Sequence, residues 1–110
     1  MTTVTIRKDS KNAYRGFICM GHAGYAKRRE PDILCAAISA LVIGAINSLE
    51  ELAGERLDVA TDESTGFIRC DILNGLQEKS SFLLDSMVFT LENLSREYGA
   101  EYLQVKYEEV

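Results

Sequence analysis

Several residue types are scarce in this chain, and each scarcity excludes a class of protein. The chain has one Pro, eight Gly and no Trp, which excludes collagen-like and Pro-rich proteins. No window approaches the roughly 18 uninterrupted apolar residues that a membrane helix needs, so we expect no membrane contact. Three Cys have no disulfide-framework spacing, and residues 1–8 contain no apolar signal core. These absences predict a cytoplasmic protein with reduced thiols.

The composition that remains is that of one globular domain over residues 1–110. Hydrophobic residues make up 46% and charged residues 26% of the chain, as in ordinary soluble proteins, and this length accommodates a single core. The net charge of −5 is uneven, because residues 1–31 are net basic and residues 32–110 strongly acidic. We therefore expect a basic partner, with nucleic acid unlikely. Only the run Lys27-Arg28-Arg29 is suited to RNA, although such runs are more often solvated loops.

The first half of the chain predicts a hairpin followed by a helix. Residues 2–8 and 14–20 alternate about a turn at 9–12, which places Phe17 and Cys19 on one face of the hairpin. Residues 22–31 are polar and irregular. After Asp32, a good N-cap, apolar residues recur every three or four positions from Leu34 to Leu52. This spacing predicts an amphipathic helix of about five turns, ended by Ala53-Gly54.

The second half repeats this order and adds a strand. Residues 57–61 and 67–72 alternate around a turn at 62–66, a helix runs from Gln77 to Tyr98, and Leu103 to Tyr107 alternate again. The order is strand-strand-helix-strand-strand-helix-strand. It predicts an α+β fold, a two-layer sandwich with two helices packed on one mostly antiparallel sheet.

The chemically interesting residues flank the irregular segment. His22, the single His, follows Gly21 at a strand end, and Cys35 lies in the first turn of the predicted helix. Free N–H groups and the partial positive charge of a helix start favour a thiolate. The backbone N–H groups of Cys35 and Ala36 would point to an oxyanion, and His22 would carry the proton. Asp32 would oppose a second anion, or would orient the imidazole.

From the residues alone, other interpretations stay open. A lone Cys such as Cys35 is usually a small buried apolar side chain, and a lone His such as His22 is usually a surface or capping residue. Ser39 would be a helical Ser bonded to the Cys35 carbonyl. Cys19, His22, Cys35 and Cys70 form a possible zinc set, although they lack a Cys-x-x-Cys pair. A Cys19–Cys35 redox pair is another alternative.

Two segments together resemble the ribosomal-processing cysteine protease family Prp. These are Gly21-His22-Ala23-Gly24-Tyr25-Ala26 and Asp32-Ile33-Leu34-Cys35-Ala36-Ala37-Ile38-Ser39-Ala40-Leu41. The family pattern is a Gly-His-Ala segment, a mobile loop, and Asp-x-x-Cys-Ala-Ala-x-Ser opening a long helix. Length and element order also fit, so the resemblance extends over essentially the whole chain.

The resemblance implies a Cys–His endopeptidase. Such an enzyme removes the N-terminal extension of a bacterial large-subunit ribosomal protein, number twenty-seven of that subunit, during ribosome maturation. Cys35 is then the nucleophile and His22 the general acid/base, and Gly21, Asp32 and Ser39 hold supporting positions. The resemblance also implies a homodimer, no cofactor or metal, and a flexible loop at residues 23–31 over the site.

The loop departs from the family pattern. A Gly commonly stands two residues before the Asp of the pattern, whereas this chain has Glu30 followed by Pro31, in a loop one residue longer. We therefore expect loop closure and substrate fit to differ from those of the family. The alternative function is a non-catalytic ribosome-associated binding or assembly module, with Lys27-Arg28-Arg29 on RNA and the acidic face on a basic protein.

Overall fold

Five strands form one sheet, and two helices pack on it, in the order that the hydrophobic spacing predicts. The computed structural model describes residues 1–26 and 32–110. Its elements in chain order are β1 (Thr2–Lys8), β2 (Tyr14–Met20), α1 (Ile33–Asn47), β3 (Leu57–Asp62), β4 (Phe67–Ile72), α2 (Glu78–Tyr98) and β5 (Leu103–Glu109). The predicted α+β fold with two helices on one sheet is thus confirmed.

The strand order in the sheet is β3-β4-β2-β1-β5. Three of the four pairings are antiparallel, and β1 and β5 are parallel. The two hairpins are therefore joined through β2 and β4, which are far apart in sequence. This pairing places the start of β4 beside the end of β2, where Cys19 is opposite Ile68.

One face of the sheet and one side of each helix make the core. On β2, Phe17 and Cys19, which were predicted to share one face, are both buried, while Met20 is 51% exposed. The interior strand β1 contributes Val4 and Ile6, which are almost completely buried. The helices add Leu34, Ile38, Val42, Leu84, Met87 and Leu91 to this core.

The first helix ends differently from the prediction. The α-helix stops at Asn47, and a π-helical turn, Ser48–Leu52, continues it; there the N–H of Ala53 donates to the carbonyl of Ser48, five residues earlier. A π turn advances by a smaller angle per residue than an α turn, so positions after Ser48 leave the α-helical repeat. Leu49 remains buried but Leu52 is 80% exposed, which corrects its predicted place on the apolar face.

By length and composition alone, the helical segment Ile33–Leu52 could cross a membrane. The sequence-based expectation missed this, because it required an uninterrupted apolar run and the segment contains Ser39, Asn47 and Ser48. In the fold, the segment packs on the sheet through Leu34, Ile38 and Val42. Core helices pass the same test of length and composition. Its place in the core therefore accounts for the buried third of the segment, whereas Ile33, Ile43 and Leu52 are exposed.

Two of the predictions concern residues 27–31, which lie between the described ranges. Lys27-Arg28-Arg29, predicted as the one segment suited to RNA, and Glu30-Pro31, predicted to alter loop closure, lie outside the described residues. Both stay predictions.

Candidate active site

A cavity of about 310 Å³ opens beside the start of α1 and the turn between β3 and β4. Four of the predicted site residues line it: Gly21, His22, Cys35 and Ser39. Apolar side chains from α1 and β4 form much of the remaining wall, namely those of Ile38, Ile43, Phe67 and Ile68. The fold thus places the single imidazole and one thiol on one concave surface that can accommodate part of a peptide.

Asp32 is the N-cap of α1, as predicted, and it also binds the segment that follows His22. One carboxylate oxygen, Oδ1, accepts the N–H of Cys35 at 2.9 Å. The other, Oδ2, accepts the N–H groups of Tyr25 at 2.9 Å and Ala26 at 3.5 Å. Burial alone would raise the pKa of Asp32, but the backbone N–H donors outweigh it and lower the pKa below its ordinary value. Both carboxylate oxygens therefore accept backbone N–H groups. These contacts do not support the expectation that Asp32 orients the His22 imidazole.

The two N–H groups predicted for the oxyanion hole already have acceptors. The N–H of Cys35 donates to the Asp32 side chain, and the N–H of Ala36 donates to the Asp32 carbonyl at 3.0 Å. These are the cap and the first turn of hydrogen bonds in α1. An oxyanion at this position would have to share them, as three-centre bonds at helix ends do.

Gly21 sets the direction in which the chain leaves β2. Its φ is +91°, and an added Cβ would lie 2.4 Å from the Met1 carbonyl oxygen. Its N–H donates to the carbonyl of Thr65 at 3.2 Å, and its carbonyl accepts the Thr2 hydroxyl at 3.4 Å. A side chain at position 21 would break this close approach, which explains why the position before His22 is Gly.

The segment after His22 is attached to the fold at two points. Ala23 is 1% exposed. The Tyr25 ring lies edge-on against Tyr98 and Tyr102, with centroids 5.0 and 5.3 Å away. Such T-shaped pairs are favourable beyond their buried area. His22 is exposed between Gly21 and the buried Ala23, so its backbone is fixed on both sides while its ring reaches the cavity.

The three cysteines are free thiols in different surroundings. Burial raises the pKa of Cys70 to about 12 and of Cys19 to about 11, the nearby Cys35 adding to the second shift. Cys35 is only partly buried and faces the cavity. Among residues 1–26 and 32–110, no three His, Cys, Asp or Glu side chains are placed to hold a metal ion. The described residues therefore do not bring Cys19, His22, Cys35 and Cys70 together as a zinc set.

The sequence did not predict the contribution of the turn between β3 and β4. Thr61, Asp62, Glu63, Gly66 and Phe67 all line the cavity, whereas the alternation pattern identified residues 62–66 only as a turn. They reach the site because β4 pairs with β2 and so places the turn beside Gly21 and His22. Local spacing does not encode the pairing of β2 with β4. The one signal in the sequence was the repeated strand-strand-helix order, which indicates two similar hairpins.

Comparisons with known proteins agree with one another. A family model described as cysteine protease Prp matches residues 1–104. Ribosomal processing cysteine protease Prp of Bacillus subtilis is 29% identical over 102 residues, which are 89% of this chain and 90% of that protein. The protein of the same name from Staphylococcus aureus is 27% identical over 107 residues, covering 97% and 99%.

Solved structures show the same similarity over the whole chain. The crystal structure of the essential ribosomal processing protease Prp from Staphylococcus aureus with a covalently linked product peptide superposes with a TM-score of 0.89. That protein is 27% identical, and the match covers 98% of this chain and all of that one. The structure of the same protease with a substrate peptide has a TM-score of 0.85 at 26% identity, with the same coverage.

Proposed function

Because this chain belongs to the cysteine protease Prp family, we propose that it cleaves the N-terminal extension from the bacterial large-subunit ribosomal protein numbered twenty-seven. The names of its relatives support the general activity, that of a cysteine protease of ribosomal processing. The proposal adds the specific substrate and the catalytic dyad of Cys35 and His22. The observation that carries the dyad is that these two side chains line one cavity.

The proposed reaction begins with an extended peptide whose scissile carbonyl lies over the start of α1. Cys35 gives its proton to His22, and its sulfur attacks the carbonyl carbon and forms a C–S bond. His22 returns the proton to the departing amine as the C–N bond breaks, which leaves a thioester on Cys35. His22 then takes a proton from water as the oxygen attacks the thioester carbon. The C–S bond breaks, the acid product leaves, and His22 returns the proton to the Cys35 sulfur. The covalently linked product peptide of the Staphylococcus aureus relative supports a covalent intermediate of this kind.

Stabilisation of the oxyanion is assigned to the N–H groups of Cys35 and Ala36. In the proposed transition state, the Cys35 N–H is shared between the Asp32 carboxylate and the substrate oxyanion. Asp32 then has a positioning role: it holds the first turn of α1 and the segment after His22 together. Gly21 shapes the backbone before His22. Ser39, one turn after Cys35 on the cavity wall, would contact the bound peptide.

The remaining parts of the proposal concern the assembly and its setting. We expect a homodimer in the cytoplasm that needs no cofactor. Of the loop predicted at residues 23–31, residues 23–26 are held to the fold by the buried Ala23 and by the Tyr25 ring, and residues 27–31 lie outside the described residues. The acidic balance of the chain suits a basic extension as substrate.

The test is incubation of the purified protein with the extended ribosomal protein, followed by intact mass measurement. We expect one N-terminal truncation by the wild type. Because a nucleophile and its base act as a unit, Cys35→Ser and His22→Ala should each lose about three orders of magnitude or more in rate. Cys70→Ala is the matched control, since Cys70 is buried in the core away from the cavity walls, and it should cleave like the wild type.

Two outcomes would contradict the proposal. Cleavage by Cys35→Ser at the wild-type rate would remove Cys35 as the nucleophile. Absence of truncation by a folded wild type with reduced thiols, together with salt-sensitive ribosome binding that survives Cys35→Ser, would favour the non-catalytic binding module.

A further inference from the structure

Gly66, at the end of the turn between β3 and β4, is in unusually close contact with the segment that bears His22. Its φ is +66°. A Cβ at this position would lie 2.4 Å from the carbonyl oxygen of Gly21, 3.0 Å from its carbonyl carbon and 3.1 Å from Cε1 of His22. The glycine therefore leaves room both for the backbone before the imidazole and for the edge of the imidazole ring.

The turn that presents Gly66 is held by its own hydrogen bonds. The Asp62 carboxylate accepts the N–H and the hydroxyl of Ser64, at 3.1 and 2.7 Å. The Thr65 hydroxyl donates to the Asp62 carbonyl at 3.3 Å, and the N–H of Gly66 donates to the backbone carbonyl of Glu63 at 3.3 Å. A turn closed in this way presents a defined surface to the residues packed against it.

The same turn is bonded directly to the chain before His22. The carbonyl of Thr65 accepts the N–H of Gly21 at 3.2 Å. Gly21, with its positive φ, and the buried Ala23 fix the backbone on either side of His22. Thr65 and Gly66 add contacts from outside this segment, because the Thr65 carbonyl holds Gly21 and Gly66 lies against Gly21 and the edge of the imidazole.

We propose that Gly66 is a positioning residue for His22: its missing side chain lets Gly21 and the imidazole pack against the β3–β4 turn at the cavity wall. The inference rests on the proposed function, because it assigns Gly66 to the placement of the proposed general acid/base. A Cβ at Gly66 meets a backbone carbonyl, which cannot rotate away as a side chain can. Gly21 must shift, and His22 shifts with it.

Gly54 provides a matched control for the backbone strain of the substitution. Its φ is +68°, almost the same as that of Gly66, but an added Cβ there would meet no atom within 4 Å. Gly66→Ala and Gly54→Ala therefore introduce the same unfavourable φ for an L-residue, whereas only Gly66→Ala pushes against Gly21 and His22. A difference in activity or in the His22 signal between the two variants therefore reports the contact of position 66 with Gly21 and His22, and not the backbone strain.

The experiment compares the two variants with the wild type by peptide cleavage and by NMR. His22 is the single His of the chain, so its ring Cε1–H signal is unambiguous. In Gly66→Ala we expect that signal and the pH profile of kcat to move, and kcat to fall at least about tenfold with a smaller change in KM, since a misplaced catalytic group lowers the rate steeply. Gly54→Ala should leave the His22 signal and kcat at wild-type values.

The outcomes separate this inference from the proposed function. If the His22 signal and kcat of Gly66→Ala equal those of Gly54→Ala, the inference is overturned. If the signal moves only in Gly66→Ala while no variant and no wild type cleaves, the positioning holds and the proposed function fails. Should Gly66→Ala not fold, Gly66→Asn beside Gly54→Asn repeats the comparison, because Asn tolerates a positive φ and still carries the Cβ.

Discussion

At the scale of single residues, Asp32 connects the start of α1 with the segment that follows His22. Its Oδ1 caps α1 through Cys35, and its Oδ2 holds Tyr25 and Ala26. The proposed nucleophile and the segment that follows the proposed general acid/base thus share one carboxylate. A change at Asp32 should therefore affect both stability and the relative placement of Cys35 and His22.

Asp32→Ala should lower the free energy of unfolding by about 1 kcal/mol at pH 7, the usual effect of losing an N-cap. The pKa of Asp32 in the folded protein lies below its ordinary value of 3.8. The contribution of its charge is therefore present above about pH 4 and is lost as the pH falls through the folded-state pKa. Urea unfolding of wild type and variant should show a difference at pH 7 that narrows towards pH 2.

Asp32→Asn separates the charge of Asp32 from its shape. Asn is also a good N-cap, so this variant should lose less stability at pH 7 than Asp32→Ala. Its stability should also lack the part of the acid dependence that Asp32 contributes, while Asp9, Glu55 and Asp62, whose pKa values are lowered as well, keep theirs. An Asp32→Ala deficit that stays constant between pH 7 and pH 2 would show that the ionised carboxylate contributes nothing.

Thiol labelling should distinguish Cys35 from the other two cysteines. Cys19 and Cys70 are 5% and 0% exposed, and burial raises their pKa values to about 11 and about 12. Both are protonated and inaccessible at pH 8, and the thiolate is the reactive form. Iodoacetamide at pH 8 should therefore add one label to the native wild type, at Cys35, as read by peptide mass spectrometry.

Cys35→Ser is the control for this labelling. It should take up almost no label while folded and two labels in denaturant. Fast native labelling of Cys19 or Cys70, or labelling of Cys35 only after unfolding, would contradict the placement of Cys35 at the open cavity.

At the scale of elements, the contact between β2 and β4 joins the two hairpins, and Gly16 lies at its closest point. Gly16 is opposite Asp71 on β4 and opposite Arg7 on β1. Arg7 bonds to Asp71 at 3.2 Å across it. A Cβ at Gly16 would lie 2.3 Å from the Cys70 carbonyl oxygen. A side chain at this position would separate strands whose pairing brings the β3–β4 turn to the site.

Gly16→Ala should therefore destabilise the protein by about 1–3 kcal/mol, the cost typical of overpacking. Urea unfolding with the same slope as wild type and a lower midpoint would be the expected result. Gly75→Ala is the control, because Gly75 is exposed and an added Cβ there meets no atom within 4 Å. Equal midpoints for the two variants would contradict the close packing of β2 on β4.

At the scale of the whole molecule, the charge of −5 sets how a substrate approaches. Acidic side chains Asp62 and Glu63 line the cavity beside its apolar wall. A basic peptide would therefore be attracted over distances that salt screens, while the proposed attack by Cys35 would take place inside the cavity. Charge should affect capture of the peptide more than the rate of the bound complex.

Raising the salt concentration from about 0.05 M to about 0.5 M shortens the Debye length severalfold. KM for a peptide that carries Lys or Arg should then rise severalfold, with kcat almost unchanged. A peptide of the same length with Gln at those positions provides the control and should show little salt dependence. Equal salt dependence of the two peptides would show that the acidic surface does not select the substrate.

The features that depend on local spacing could be predicted from the sequence. The alternation on β1 and β2, the apolar repeat of α1 and α2 and the Asp32 cap are all confirmed, because periodicity and capping act within a few residues of the chain. The Gly-His-Ala and Asp-x-x-Cys segments also pointed to the family. The roles of Cys35 and His22 stay predictions, now with both side chains on one cavity.

Which distant segments meet could not be predicted from local spacing and became visible in the folded chain. The pairing of β2 with β4 and the parallel pairing of β1 with β5 bring residues more than forty positions apart into register, and no local pattern specifies such pairs. That pairing places Gly66 against His22. It also adds the β3–β4 turn to the cavity wall. The sequence of the β3–β4 turn indicates only that it is a turn. The turn becomes part of the cavity wall because β4 pairs with β2.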